Sequence, residues 1–355
     1  MILKYLTRHK RVETKVISKY YPDISIVLCM YNAADQITAR IDNILASNYP
    51  KKNINIVIVS DGSTDHPEKI IEKLNYPNIT LISYENNQGK SYALNQGIKH
   101  VTTELVAFAD IRQTFHPDAL YNLSIHFADK TIGAISGNLE ISLDAHNPQS
   151  DPGLYWKYEK WIREKESDLN SMLGVTGAIY MARSSLLPKI PEDTLLDDMY
   201  IPLSMVKQGY KIKFDSKAIA YDVSSSSTAE EFNRKVRTLA GNFQLMTQLP
   251  WLLSMRKNPL FFQFFSHKVL RLFTPYFLIT ILISSYYAEN ILIKSFLSLQ
   301  LGFYLYSVLC FHLAKFKIKL PLGSFSVSFC SLQLAALCAG WKYCVNDPKT
   351  LWHKH

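Results

Sequence analysis

Apolar runs that stop at acidic residues constrain this 355-residue chain more than any other feature. INIVIV runs into SDGSTD, ELVAF runs into AD, and LDD opens MYIPL, which sets Asp61, Asp110 and the pair Asp197–Asp198 at segment ends. A short continuous apolar run bounded by turn residues reads as a strand buried on both faces, as in a parallel sheet under helices. Open α/β sheets bind their ligands in the crevice outside the carboxyl ends of the strands. Carboxylates gathered there can hold a ribose or a metal-bound diphosphate, or take a proton.

The segments between the acids keep the same rhythm. ISIVLCMYN (24–32) is a strand, and AADQITARIDNILASNYP follows with Ile37, Ile41, Ile44 and Leu45 at helical spacing, closed by Pro50. NITLISYE adds another strand, with PEKIIEKL and GKSYALNQGIKHV as helices on either side of it. Strands alternating with helices predict a parallel, doubly wound sheet. Further on come a helix in HPDALYNLSIHFA, a strand in IGAISGNLEI, a charged helix over 155–171 and two short β segments in KIKFDSKAIAYD. TAEEFNRKVRTLAGNFQLM is a helix with Arg234 and Arg237 on one face. A solvated arginine face is its plainer reading.

Past about Lys257 charges thin out and aromatics crowd together. Leu272–Ala288, Ile291–Ala314 and Leu322–Trp341 each approach the roughly 20 residues that cross a bilayer. Ahead of them, LPWLLSMRKNPLFFQFFSHK mixes aromatics with Arg256, Lys257 and Lys268, which suits a helix lying in the membrane interface. Buried helices of a second soluble domain are the alternative, and the scarcity of charge disfavours it. AKFKIK, between the second and third spans, carries three lysines, whereas SYYAEN between the first two carries none. The positive-inside rule therefore places AKFKIK in the cytoplasm, with the α/β domain on the same side. The tail's own lysines oppose the outside position that an odd number of spans would give it, so charge does not fix its side.

The net charge of +9 has no long basic block behind it and no nucleic-acid motif, which excludes nucleic acid as a partner. Basic clusters at the N-terminus and in AKFKIK fit anionic lipid instead. Cys29, Cys310, Cys330, Cys338 and Cys344 form no CxxC pair, so neither a zinc site nor a disulfide framework is expected.

Taken in order, SIVLCMYN, VSDGSTD, NNQGKSYALNQGI, VAFAD, GVTGAIYMARSSLL, LLDDMYIPL, QGYKIKFDSKAIAYD and RKVRTLAGNFQ resemble the inverting family 2 glycosyltransferases, in particular membrane-bound bacterial members related to polysaccharide synthases. The resemblance runs from Asp23 to about Met246 and into the first apolar segment. It implies an α/β GT-A fold, Rossmann-like with a mostly parallel sheet and flanking helices, followed by C-terminal interfacial and transmembrane helices. The implied parts are a basic segment 1–22, a catalytic domain 23–246, an interfacial helix 247–268, two or three transmembrane helices in 269–345 and a tail 346–355. It also implies a nucleotide-sugar donor, most commonly a UDP-sugar, and a lipid-linked or growing glycan acceptor. The setting would be the bacterial inner membrane, crossed several times and in contact with membrane lipid and other polysaccharide assembly proteins.

Residue by residue, the resemblance assigns the nucleotide to Asn32, Asp35, Asp61 (the uridine) and Lys90. Asp110 takes the first position of the DxD motif, which holds a divalent cation (Mg2+ or Mn2+) and the diphosphate. Arg234 and Arg237 stand where QxxRW contacts the diphosphate, Asp198 where the family has its general base, and Gly177 and Asp197 on the acceptor side. Inversion needs a base for the acceptor's proton, and a neighbouring like charge such as Asp197 would raise the pKa of Asp198. Plainer readings are helix capping for Asp197–Asp198 and a solvated side chain for Lys90. A lysine is unfavourable at a helix start, which tilts Lys90 toward a phosphate.

Two departures stand out. Arg112 fills the third DxD position, where a cation loses a ligand, and could meet the diphosphate itself. Thr238 replaces the tryptophan of QxxRW, which favours transfer of one sugar over processive synthesis. A catalytically silent nucleotide-binding scaffold and a channel-forming processive synthase are the alternatives.

Overall fold

A computed structural model describes residues 21–74, 76–142, 154–223, 228–318 and 320–345, with no side-chain description at 142, 154–158, 223 and 228. The basic N-terminus up to residue 20 and the tail 346–355 lie outside the described residues. The chain divides into two units at Ser224/Ser225.

The first unit holds an eight-stranded sheet: β1 Ile24–Met30, β2 Ile54–Asp61, β3 Ile79–Tyr84, β4 Leu105–Ala109, β5 Thr114–Phe115, β6 Ile132–Ser142, β7 Ile179–Arg183 and β8 Lys211–Val223. Its helices are α1 Ala34–Leu45, α2 Pro67–Leu74, α3 Lys90–Lys99, α4 Ala119–Ser124, α5 Leu154–Leu169 and α6 Asp197–Lys207. The strand order is β3-β2-β1-β4-β7-β6-β8-β5. The first four strands in that order are parallel neighbours, as the alternating pattern predicts. Ile24, Ile26, Leu28, Ile54, Ile58, Leu105 and Ala107 are fully buried, which explains the unbroken apolar runs.

The sheet is mostly parallel, as expected, with β7 the exception inside it. This strand runs antiparallel to both β4 and β6, while β6 and β8 pair in parallel. The chain enters β7 from the loop at 174–177, at the end of the sheet where β4 finishes, so this loop begins the strand instead of following it. KIKFDSKAIAYD is one 13-residue strand rather than two short ones. Its polar centre faces a register shift in β6 between Ser136 and Asn138. A Cβ at Gly137 would lie 2.6 Å from the Ala218 carbonyl oxygen, so the bulge depends on that glycine.

The second unit comprises α7 Thr228–Gln248, α8 Phe261–Tyr287, α9 Ile291–Lys315 and α10 Gly323–Val345. By length and composition, α8, α9 and α10 can each cross a membrane. Their apolar side chains are widely exposed, Ile291, Phe296, Leu299 and Leu305 among them, as lipid-facing surfaces are. The stretch 247–268 is not a single helix. A 3-10 turn at Pro250–Leu253 follows α7, and α8 starts only at Phe261. Pro250 and Pro259 break the stretch. Buried Asn258 ties the connection together, donating to the Leu252 carbonyl and accepting from the Leu260 amide, each at 2.8 Å. Within this unit α7 packs on α10: Phe243 stacks on Tyr343 with ring centroids 5.8 Å apart, and the Thr247 and Tyr343 hydroxyls lie 2.9 Å apart.

Candidate active site

The parallel strands deliver their acids to one end of the sheet, and loops complete the site there. Asp61, at the end of β2, is 4 % exposed. Its carboxylate accepts from the Asn87 side chain at 2.9 Å and from the backbone amides of Gln88 and Gly89 at 2.8 and 2.9 Å. Asp61 therefore fixes the loop that launches α3. Asn32 sits with φ +49 after β1; its side chain accepts from the Thr64 amide at 2.8 Å, and its own amide donates to Ser63. Asp65 accepts from the Ala34 amide, so the loops after β1 and β2 are stitched together. Asp35 is exposed in the first turn of α1.

Lys90 opens α3. Its ammonium donates to Asp110 at 3.0 Å and lies 3.9 Å from Asp197. Burial alone would lower its pKa, but the two carboxylates outweigh burial and hold the amine above the ordinary lysine range. For Asp110 burial pulls the other way too: it would raise the pKa, yet Lys90, Arg40 and Arg112 bring it below the ordinary aspartate range.

Asp197 and Asp198 are the first two residues of α6, whose N-cap is Leu196, so neither occupies the capping position. They turn to different neighbours. Asp197, 8 % exposed, faces Lys90. Asp198 meets the loop 174–177: its carbonyl accepts from the Val175 amide at 2.9 Å, and a Cβ at Gly177 would stand 3.8 Å from its carboxylate. Thr176 anchors that loop through its amide on the Ser136 hydroxyl and through Arg163, which donates to its hydroxyl at 2.7 Å. Asp61, Lys90, Asp110, Asp197, Asp198 and Gly177 thus belong to one site. Arg234, exposed, and Arg237, half-buried, lie on α7 in the second unit.

Arg112, expected here from the sequence, donates to Asp222 at 2.7 Å, and Gln113 shares that oxygen at 2.9 Å. Asp222, Gln113, Arg40 and Tyr180 are site residues that were missed in the sequence. Asp222 ends an apolar run just as Asp61 and Asp110 do, so the same signal was available. Arg40 is 2 % exposed on the apolar face of α1, three residues after Ile37 and four before Ile44. It donates to Asn43 at 2.7 Å and lies 4.1 Å over the Phe115 ring, while its Nε and second terminal nitrogen have no partner. Burial lowers its pKa to about 10, so it stays charged at neutral pH. Tyr180, stacked on Phe108 at 4.7 Å, buries a hydroxyl that lacks a partner. Burial, then Asp197 and Asp198, push that phenol well up. Cys29 closes the group beside Lys90, its thiol raised chiefly by burial.

A divalent cation of the DxD kind does not fit these side chains. Arg112 stands where the second acid would be and is bound to Asp222, and Lys90 already occupies Asp110. Among the described residues no three of His, Cys, Asp and Glu gather as metal ligands.

Residues 25–190 match the family described as "Glycosyl transferase family 2". The chain carries a family 2 glycosyltransferase domain. Over 233 residues it is 26 % identical to a poly-beta-1,6-N-acetyl-D-glucosamine synthase of Staphylococcus aureus, covering 63 % of this chain and 55 % of that protein. The synthase of the same name from Staphylococcus epidermidis is 25 % identical, with 64 % and 56 % covered. The chain thus spans little more than half the length of the curated relatives it matches. A mannosyltransferase from Pyrobaculum calidifontis, solved with GDP-Man and Mn2+, aligns with a TM-score of 0.74 over 97 % of this chain and 93 % of that one, at 19 % identity. That likeness shows the GT-A fold of the glycosyltransferase.

Proposed function

We propose that this glycosyltransferase is membrane-associated and inverting, moving a sugar from a nucleotide sugar to a lipid-linked or growing glycan. The observation that carries the reading is the division of labour at the head of α6. Asp197 faces Lys90, so this reading moves it to the donor side from the acceptor side where the resemblance put it, while Asp198 faces the glycine of the loop 174–177, the acceptor side.

In the reaction the acceptor hydroxyl attacks C1 from the face opposite the diphosphate. The new C1–O bond forms as the C1–O(phosphate) bond breaks, the hydroxyl proton passes to the Asp198 carboxylate, and the nucleoside diphosphate leaves. Negative charge grows on the leaving oxygens beside the Lys90 ammonium, which a fixed cation stabilises. Arg234 and Arg237 serve the same charge in this reading, and Asn32, Asp35 and Asp61 define the nucleoside end. For Asp61 that role is carried by the loop it fixes. A Mg2+ or Mn2+ ion would have to be brought in largely by the donor's own oxygens.

The relatives' names make a UDP-N-acetylhexosamine the first donor to test, with surface polysaccharide or glycolipid as the product class. The membrane is the bacterial inner membrane, with the catalytic domain, from residue 23 to about 246, on the cytoplasmic side. Lipid and other polysaccharide assembly proteins are the partners. Thr238 in place of a tryptophan favours single transfer.

The test is UDP release from a panel of UDP-sugars by the detergent-extracted protein. One sugar should respond above the others. Silence across the panel combined with an absence of nucleotide binding would overturn the reading in favour of a silent scaffold.

A further inference from the structure

We infer that the donor's diphosphate is held by cations belonging to the protein, with Lys90 at their centre, and that nucleotide binding needs no divalent ion. The inference rests on the donor-site reading above and departs from the solved mannosyltransferase, which holds Mn2+.

The argument starts from what a hard divalent ion requires. It takes about six oxygen ligands, usually with at least one or two carboxylates from the protein. Asp110 is the one acid of its motif, and its Oδ1 already accepts from Lys90 at 3.0 Å. A second carboxylate, that of Asp197, lies 3.9 Å from the same ammonium. An ion bridging the two acids would have to compete with that ammonium for both of them and would be repelled by it. Arg112 adds a further positive charge where the motif would supply a ligand. It is bound to Asp222, which keeps it beside Asp110 and gives it an anionic partner of its own.

Arg40 extends the pattern. It is a buried cation with two unpartnered nitrogens, and its charge acts on Asp110. Asp110 therefore has three cations around it, Lys90, Arg40 and Arg112, and although Asp197 and Asp222 balance two of them, an arriving diphosphate would meet protein cations here instead of a second motif acid. Lysine is a good phosphate binder as a point charge, and at the start of α3 it adds to the positive end of the helix.

The experiment is calorimetric titration of UDP, and separately of GDP, into the full-length protein in detergent, in EDTA and then in Mn2+. Wild type is compared with Lys90→Met and Lys90→Arg, and thermal unfolding in the same buffers checks that each variant is folded. The expected result is a dissociation constant that changes by less than about threefold between the two buffers, a loss of about tenfold or more in Lys90→Met, and recovery of much of that loss in Lys90→Arg. Binding that disappears in EDTA and returns with Mn2+ would overturn this inference alone. Lys90→Met binding as tightly as wild type in EDTA would do the same. Neither nucleotide binding in either buffer would overturn the donor-site reading along with it.

Discussion

At the scale of single residues the site is a balance of partly buried charges, and each one can be perturbed separately. Lys90 and Asp110 shift in opposite directions, each favouring its charged form. Stability from the depressed Asp110 is present above the ordinary aspartate pKa and is lost as pH falls through its lowered value. Stability from the raised Lys90 is present below the ordinary lysine pKa and is lost only as pH rises through its raised value. The gap in thermal stability between wild type and Lys90→Met should therefore be flat across neutral pH and close only as pH falls below the ordinary aspartate pKa. It should also be small, about 1 kcal/mol, because Asp110 is 40 % exposed and solvent screens the pair. A gap that widens steadily across neutral pH would mean another group controls the titration. Arg40 is different, being fully buried with one hydrogen bond. Arg40→Met should leave unfolding stability within about 1 kcal/mol, since replacing a poorly satisfied buried ion by an apolar chain is often neutral. The same variant should weaken UDP binding, because Asp110 loses a compensating cation. Asp222 shows what was legible at this scale. It ends an apolar run as Asp61 and Asp110 do, but its partner Arg112 lies 110 residues away in sequence, and spacing alone does not reveal such a pair.

At the scale of elements, the run-and-stop pattern reports burial well and direction poorly. β1, β2 and β4 were legible because each is buried along nearly its whole length, and edge strand β3, only partly buried, because its short apolar run lies between helical segments. The antiparallel course of β7 was not, since an apolar run reads the same in either direction. Likewise the stretch 247–268 has an interfacial composition, yet Pro250 and Pro259 interrupt the helix that its composition suggests. The loop 174–177 is the element most exposed to test. Gly177 has room for a Cβ only against Asp198, at 3.5 Å from its Cβ and 3.8 Å from its carboxylate. Gly177→Val should slow turnover strongly while leaving the unfolding midpoint and UDP affinity close to wild type. Loss of UDP affinity in that variant would assign the loop to the donor side. In the second unit, a Cβ at Gly340 would lie 2.6 Å from the Tyr276 hydroxyl and 3.7 Å from the Phe243 ring. Gly340→Val should lower stability in detergent by about 1–3 kcal/mol through overpacking, as read by thermal unfolding.

At the scale of the whole molecule, a catalytic unit of mixed sheet is joined to a unit with three helices able to cross a membrane. The break at Ser224/Ser225 falls before α7, so the helix bearing Arg234 and Arg237 groups with the apolar helices through Phe243 and Tyr343. The central claim is that Asp198 takes the acceptor's proton while Lys90 and its neighbours hold the donor. The most direct measurement compares wild type with Asp198→Asn, following UDP release from the responding UDP-sugar together with UDP affinity in the same preparation. The account predicts release reduced by about 100-fold or more, with the dissociation constant for UDP within about threefold of wild type. Release that survives the substitution, or affinity that falls in step with it, would contradict the account.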